Sequence, residues 1–86
     1  MEINKLIEIV KEKITKEIIL QEINVQDKSF LHKSHKNNSP NKFHIKITII
    51  SDELKPKKKI DTTKRIYKIL ENELKNYIHS IQLSIN

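Results

Sequence analysis

"KFHIKITIIS", residues 42–51, contains the clearest periodic pattern in this chain. Its apolar side chains recur at every second position: Phe43, Ile45, Ile47 and Ile49. This alternation is typical of a β-strand with one buried face. The lysine-, serine- and asparagine-rich residues 28–41 before it indicate a loop, and Pro56 in "DELKPKKK" ends the strand because it removes a ladder donor.

Two amphipathic helices are predicted from apolar residues at helical spacing. The first is expected from about residue 2 to residue 18, and its apolar face comprises Ile3, Leu6, Ile7, Val10 and Ile14. The second is expected to begin near Asp61 or Thr62, where a capping side chain is available. The side chains that it should direct inward are Ile66, Tyr67, Leu70 and Leu74.

Two further stretches alternate and predict strands. "QEINVQD" (21–27) places Ile23 and Val25 on one face, and "YIHSIQLSIN" (77–86) ends the chain. In the last stretch the residues of one parity are His79, Ile81, Leu83 and Ile85. The predicted fold is therefore α+β with the order α-β-β-α-β, a small three-stranded sheet packed against two helices. The 86 residues, 1–86, are expected to form a single domain.

Composition excludes several function classes. The chain has no glycine, so it lacks the phosphate-binding loops of nucleotide enzymes, and it has no cysteine for a thiol nucleophile or a zinc knuckle. No apolar run is long enough for a signal peptide or a membrane span. We expect no membrane association and a cytoplasmic location, with nuclear and organellar locations as alternatives. The net charge of +6 suits either nucleic acid or an acidic protein partner.

Three of the four histidines lie close together in "FLHKSHKNNSPNKFH", residues 30–44. His32 and His35 have no acidic neighbours between them, and as a self-contained zinc site they are incomplete. His44 is expected to point away from Ile45 toward solvent. His79 shares the parity of the core isoleucines, where a polar residue is disfavoured, so it is either a rim histidine or a ligand.

Catalysis by this chain alone is not expected. A nucleophile set of Ser29, His32 and Asp27 would lie on one short segment without the rigid placement and oxyanion hole that such chemistry needs. A domain of this size also leaves little room for a cleft that encloses a substrate. We therefore expect a non-enzymatic protein.

Three motifs in sequence order resemble the BolA family. "VQDKSFLH" (25–32) is similar to Val-x-Asp-x-Ser-x-x-His, and "FHIKITIISDEL" (43–54) is similar to a strand that ends in Val-Ser-x-x-Phe. "RIYKILENELKNYIHSIQL" (65–83) is similar to a helix with Tyr and Leu-x-x-Glu-Leu that leads into a strand opening with Ile/Val-His-Ala-Leu. Together with the first helix, the resemblance covers essentially the whole chain.

The resemblance implies the α-β-β-α-β fold akin to class II KH domains and a role in iron–sulfur cluster trafficking and iron homeostasis. The implied partner is a monothiol glutaredoxin, which would share a [2Fe-2S] cluster with this protein and with glutathione. His79 matches the strand-opening ligand, and His32 or His35 would supply the second ligand from the loop. No cofactor is expected in the isolated chain, which should be a monomer or a weak homodimer.

The sequence departs from the family pattern at several positions. Thr62-Thr63-Lys64 stands where the family has Arg-His-Arg, Lys42 replaces a histidine, Pro56 replaces a glycine and Ser80 replaces an alanine. The alternative function is nucleic-acid binding, as in transcriptional regulators. Its candidate phosphate contacts are Lys57, Lys58, Lys59, Lys64 and Arg65. A KH-type Gly-x-x-Gly clamp is excluded because the chain has no glycine.

Overall fold

The computed structural model describes residues 1–29 and 42–86. The elements of this part of the chain are α1 (Ile3–Glu17), β1 (Glu22–Asp27), β2 (Phe43–Ile50), α2 (Lys59–Ile69), α3 (Glu71–Asn76) and β3 (Ile78–Ile85). The predicted order and the α+β class are confirmed, and the second predicted helix is divided at Leu70 into α2 and α3.

The strands of the described residues form one sheet in the order β1-β2-β3. β1 runs antiparallel to the central β2, and β3 runs parallel to it. Because β2 and β3 are parallel, their first residues meet at one end of the sheet and their last residues at the other. We call the first the histidine end, formed by Phe43 and His44 of β2 with the start of β3, Ile78–Ser80. The second is the lysine end, formed by residues 51–62.

The hydrophobic core lies between one face of the sheet and the helices. The alternating residues of β2 that were predicted to be inward, Ile45, Ile47 and Ile49, are buried. They form one cluster with Val25 of β1 and with side chains of the helices, which are Leu6, Val10, Ile14, Ile66 and Leu70. Burying apolar area at about 25 cal/mol per Å² is what holds so small a sheet against its helices. None of the described helices is long and apolar enough to cross a bilayer.

The start of α2 differs from the prediction. The helix begins at Lys59 after Lys58, whose side chain makes no capping hydrogen bond, so neither Asp61 nor Thr62 is the cap. The carbonyl of Lys58 accepts the amides of both Asp61 and Thr62, and Thr62 is buried within the helix. Tyr67 was predicted to point inward, but 40% of it is exposed, because the buried stripe of α2 passes through Ile66.

Candidate functional site

His79 is exposed at the histidine end, beside the start of β2. Phe43 pairs with Ile78, but the next residue of β2, His44, pairs with Ser80, so His79 is the extra residue of a β-bulge. The expectation that His79 shares the core-facing side with Ile81 is therefore wrong. A bulge shifts the register by one residue and moves the side chain to the other face of the sheet.

The ring of His79 lies against the ring of His44, with 4.8 Å between the ring centroids and 31° between the planes. His44 is only 6% exposed, so the prediction that it points to solvent is wrong, although it does alternate with the core residue Ile45. Its Nδ1 and the hydroxyl of Ser80 form a hydrogen bond of 2.6 Å. The bulge thus gives His79 a packed neighbour whose own ring is fixed by a hydrogen bond.

Hydrogen bonds hold the described residues on either side of segment 30–41 at this same place. The amide of Lys28 donates to the carbonyl of His44 at 2.7 Å, and the hydroxyl of Ser29 accepts the amide of His44 at 3.1 Å. The amide of Phe43 donates to the carbonyl of Tyr77 at 2.9 Å, just before β3 begins. Residues 29 and 42, between which the segment runs, therefore both lie next to the strand start that carries His79.

An ion pair fixes α3, the helix that leads into β3. The carboxylate of Glu73 is almost fully buried and accepts two hydrogen bonds from Lys13 Nζ of α1, at 2.8 and 2.9 Å. Burial raises the pKa of Glu73, but the hydrogen bonds from Lys13 and Asn72 outweigh it and hold the pKa below its usual range. The ionised carboxylate therefore ties α1 to α3, the helix that precedes the strand carrying His79.

The loop histidines, His32 and His35, lie outside the described residues. Within residues 1–29 and 42–86 no group of three or more His, Cys, Asp or Glu side chains is placed to hold a metal ion. Among the described residues, the exposed imidazole at this end that could bind a metal or a cluster is that of His79, and the ring of His44 packs behind it. Imidazole nitrogen is a known ligand of iron in clusters, and an exposed ring fits a cluster held between two proteins.

The lysine end carries the second set of predicted residues. Lys57 and Lys58 are exposed in the turn before α2, Lys59 is exposed as the first residue of α2, and Lys64 is exposed further along the helix. Arg65 differs, because its guanidinium donates to the Glu17 carbonyl at 2.7 Å and lies 3.6 Å from the Glu53 carboxylate. The three consecutive lysines form one patch, whereas Arg65 joins the turn to the end of α1.

Sequence reasoning missed the structural roles of three residues at these two ends, His44, Thr62 and Ser80. The contact of His44 with His79 and Ser80 depends on the bulge, for which strand alternation contains no signal. The burial of Thr62 inside α2 was missed because a threonine before an apolar helical stripe also fits a cap. The departure of Ser80 from the family's alanine was the one available indication, since a hydroxyl there needs a partner.

Comparisons with known proteins agree with this fold. The model of the BolA-like protein family matches residues 14–86. The chain is 31% identical over 78 residues to the DNA-binding transcriptional regulator BolA of Haemophilus influenzae, covering 91% of this chain and 73% of that protein. Among solved structures it is similar to the BolA domain of SufE1 from Arabidopsis thaliana, with a TM-score of 0.79, 27% identity, and 94% and 90% of the two chains covered. BolA1 from Arabidopsis thaliana shares the fold with a TM-score of 0.77 at 22% identity, over 93% and 88% of the chains.

Proposed function

Because this chain belongs to the BolA-like protein family, we propose that it is a non-enzymatic adaptor in iron–sulfur cluster trafficking and iron homeostasis. It binds a monothiol glutaredoxin through a [2Fe-2S] cluster that both proteins share. The single observation that carries the proposal is the exposed ring of His79 at the histidine end, backed by His44. An imidazole that is held in place yet open to solvent is suited to a ligand shared with a partner.

The second ligand of this chain is His32 or His35. Three peptide links separate Ser29 from His32, and an extended chain spans at most about 3.6 Å per residue, so their Cα atoms are within roughly 11 Å. Ser29 is itself hydrogen-bonded to His44, which packs on His79. A connection of this length permits His32 to act together with His79, and the longer connection to His35 permits the same.

The donor set is incomplete in this chain, so the partner must supply the remainder. The cysteine of the glutaredoxin and the thiol of glutathione complete four ligands with two imidazoles. Histidines in place of two thiolates reduce the negative charge on the cluster and raise its reduction potential. The role of this chain's residues is to orient: Ser80 fixes His44, and His44 supports the ring of His79.

The test is co-expression with a monothiol glutaredoxin, followed by visible absorption and circular dichroism of the purified complex. His79→Ala should accelerate the loss of the cluster spectrum by more than about 10-fold, since even outer-shell changes at metal sites cost about 10–100-fold. His79→Cys should retain a cluster with an altered spectrum. Gln82→Ala, at an exposed position of the same strand, is the matched control. Identical spectra and lifetimes for His79→Ala and wild type would refute the ligand role.

The loop ligand is tested in the same complex. His32→Ala and His35→Ala are compared singly, and the variant that reproduces the effect of His79→Ala identifies the second ligand. If both single variants keep the wild-type spectrum and lifetime and the double variant does too, the loop supplies no ligand.

A second candidate function is nucleic-acid binding at the lysine end. The observations that favour it are the similarity to the DNA-binding transcriptional regulator BolA of Haemophilus influenzae and the exposed patch Lys57–Lys59. Phosphate contacts make binding steeply salt-dependent, with a slope of about 0.9 per contact on logarithmic axes. Replacing all three lysines by glutamine should reduce the slope for duplex DNA by up to about 2.7. An unchanged slope and affinity would remove this candidate.

A further inference from the structure

The last strand, β3, forms one edge of the sheet, and its backbone has groups available for a further strand. The sheet of the described residues has the order β1-β2-β3, so β3 pairs on one side only. Asn86 directs its backbone groups to β2, since its amide donates to the carbonyl of Ile49 at 2.8 Å and its carbonyl accepts the amide of Ser51 at 3.0 Å. Successive residues of a strand direct their N–H and C=O groups to opposite edges. The residues of β3 whose backbone groups point away from β2 are therefore Ile81, Leu83 and Ile85.

The side chains of these three β3 residues are incompletely covered. They lie on the core side of the sheet, opposite three residues of β2 that are buried, Ile45, Ile47 and Ile49. The β3 side chains themselves are only half-buried. The described helices thus cover the central strand more fully than the β3 edge, and a strand added at this edge would bury further apolar surface.

The β3 edge lacks the side chains that usually prevent pairing with another strand. Edge strands are commonly protected by charged residues, by proline or by being short. Although 33% of the chain is charged, residues 77–86 contain no charged side chain and no proline. The opposite edge is protected, because β1 has six residues against eight in β3 and carries a carboxylate at each end, Glu22 and Asp27. Of the two edges of the described sheet, β3 is the one suited to accept a strand.

A second copy of β3 is complementary to this edge in one antiparallel register. When Leu83 lies opposite Leu83 of the other copy, Ile81 lies opposite Ile85. Each of these opposed pairs exchanges two backbone hydrogen bonds, which gives about six in all, whereas a shift of the register leaves about four at most. Apolar side chains meet on the core side, and Gln82 lies opposite Ser84 on the other face. The register therefore brings no charged side chain of β3 into the interface.

We propose that β3 is the interface of a homodimer, in which two copies of this chain pair antiparallel about Leu83 and join their sheets into one. Such an interface is isologous, because the same strand of both copies is used and each residue pair occurs twice. Interfaces below about 1,200 Å² are typical of weak complexes, and the pairing of one strand of eight residues belongs to this class. The charge of +6 on each copy also opposes association, so the dimer forms at high protein concentration and is strengthened by salt. The proposal does not rest on the cluster proposal, because it assigns no role to the His79 ring.

The first experiment is sedimentation equilibrium of the full chain at concentrations from about 10 μM to about 1 mM, the range in which weak association is measured. The wild type should show a monomer–dimer equilibrium. Gln82→Lys combined with Ser84→Lys should weaken dimerisation by about 10-fold or more, because each new lysine lies opposite a lysine of the other copy. Asn24→Lys combined with Gln26→Lys is the matched control, since it adds the same charge at exposed positions of β1. It should dimerise as the wild type does.

A charge reversal tests the register. Gln82→Glu combined with Ser84→Glu should also dimerise poorly alone, because carboxylates then lie opposite each other. An equal mixture of the glutamate variant and the lysine variant should associate more tightly than the wild type, because each lysine lies opposite a glutamate.

The second experiment uses the wild type, so it decides the register even if a variant is less stable. The amide of Leu83 should exchange more slowly as the protein concentration rises, whereas the amide of Gln82, which faces β2, should be protected throughout. In the proposed register the Cα atoms of Gln82 and of Ser84 in the other copy are about 4.5 Å apart, so an intermolecular NOE between their Hα atoms is expected.

Three results would overturn the proposal. The first is a wild-type protein that stays monomeric up to about 1 mM, which would leave the β3 edge to a strand of a different protein. The second is equal association of the two lysine variants, and the third is a dimer whose formation leaves the exchange of the Leu83 amide unchanged.

Discussion

The two ends of the sheet differ in the chemistry that they present. The histidine end has an exposed imidazole, His79, packed on a second ring and framed by backbone hydrogen bonds. The lysine end has positive charge, a helix start without a side-chain cap, and the buried hydroxyl of Thr62, which has no hydrogen-bond partner in the part of the chain that the structure describes. The first offers ligands for a metal cluster, whereas the second offers donors for an anion. With eight residues in β2 at about 3.3 Å each, the ends are about 23 Å apart.

This separation indicates that the two ends can be changed independently. Residues more than about 7–10 Å apart that share no partner usually contribute to stability additively. The ends share β2, whose inward residues form the core, so a defect in the core should affect both, and a defect at one end should stay there.

Ile47→Ala should have the largest effect because Ile47 is fully buried at the middle of the central strand. Isoleucine-to-alanine changes in a core cost about 2–5 kcal/mol, through lost burial and the cavity left behind. Chemical denaturation should show this loss, and amides at both ends should exchange faster.

The matched control for that change is Ile50→Ala, at the end of the same strand, where the side chain is 39% exposed. It should cost less than about 1 kcal/mol, because less apolar surface is lost from the core. Equal losses for the two variants would show that Ile47 is not the shared support of both ends.

Glu73→Gln should lower stability at neutral pH by about 1–2 kcal/mol, less than for a fully buried pair because Lys13 is partly exposed. The folded-state pKa of Glu73 lies below the usual value of 4.5, so its contribution is present above pH 4.5 and is lost as the pH falls through the folded value. Wild type and Glu73→Gln should therefore differ in stability at pH 7, and the difference should be smaller at pH 3. Urea denaturation at both pH values measures this.

Glu71→Gln is the control for this pH dependence, since Glu71 is exposed in the same helix. It should leave the difference between pH 7 and pH 3 unchanged. Because α3 leads directly into β3, we expect that, as the pH is lowered, backbone amide exchange increases first at the histidine end and only at lower pH at the lysine end. Equal pH profiles for wild type and Glu73→Gln would contradict the assigned role of the ion pair.

Ser80→Ala should have the smallest effect, a loss of about 0.5–1.5 kcal/mol for one hydrogen bond. It removes the 2.6 Å contact with Nδ1 of His44 and should change the ring resonances of both His44 and His79. The amides of Lys57–Ile60 should keep their chemical shifts. Changes at those amides would show that the ends are coupled, and Gln82→Ala controls for altering an exposed residue of β3.

Much of the fold could be predicted from local patterns. The alternation in β2 identified its buried face, and the spacing in α1 identified Leu6, Val10 and Ile14 as core residues. The resemblance placed His79 at the start of the last strand, which β3 confirms. Its role as a ligand stays a prediction, as do those of His32 and His35, which lie outside the described residues.

The errors arose where distant parts of the chain meet. The side of the sheet on which His79 lies depends on a bulge between β2 and β3, and the environment of His44 depends on the same pairing. The start of α2 depends on the preceding turn, whose Lys58 carbonyl accepts two amides. None of these contacts changes the alternation or the helical spacing of the residues involved.

Local sequence patterns were sufficient for the element order and for the core-facing residues of β2 and α1, and the composition was sufficient to exclude cysteine and glycine chemistry. These follow from side-chain periodicity and from residue types, both of which act along a few neighbouring positions. Only the tertiary structure decided that His79 meets His44, that Arg65 is bound to α1 and that Thr62 is buried within α2. The reason is that strand register and helix docking are set by contacts between residues far apart in the chain, and a shift of one residue reverses the side to which a side chain points.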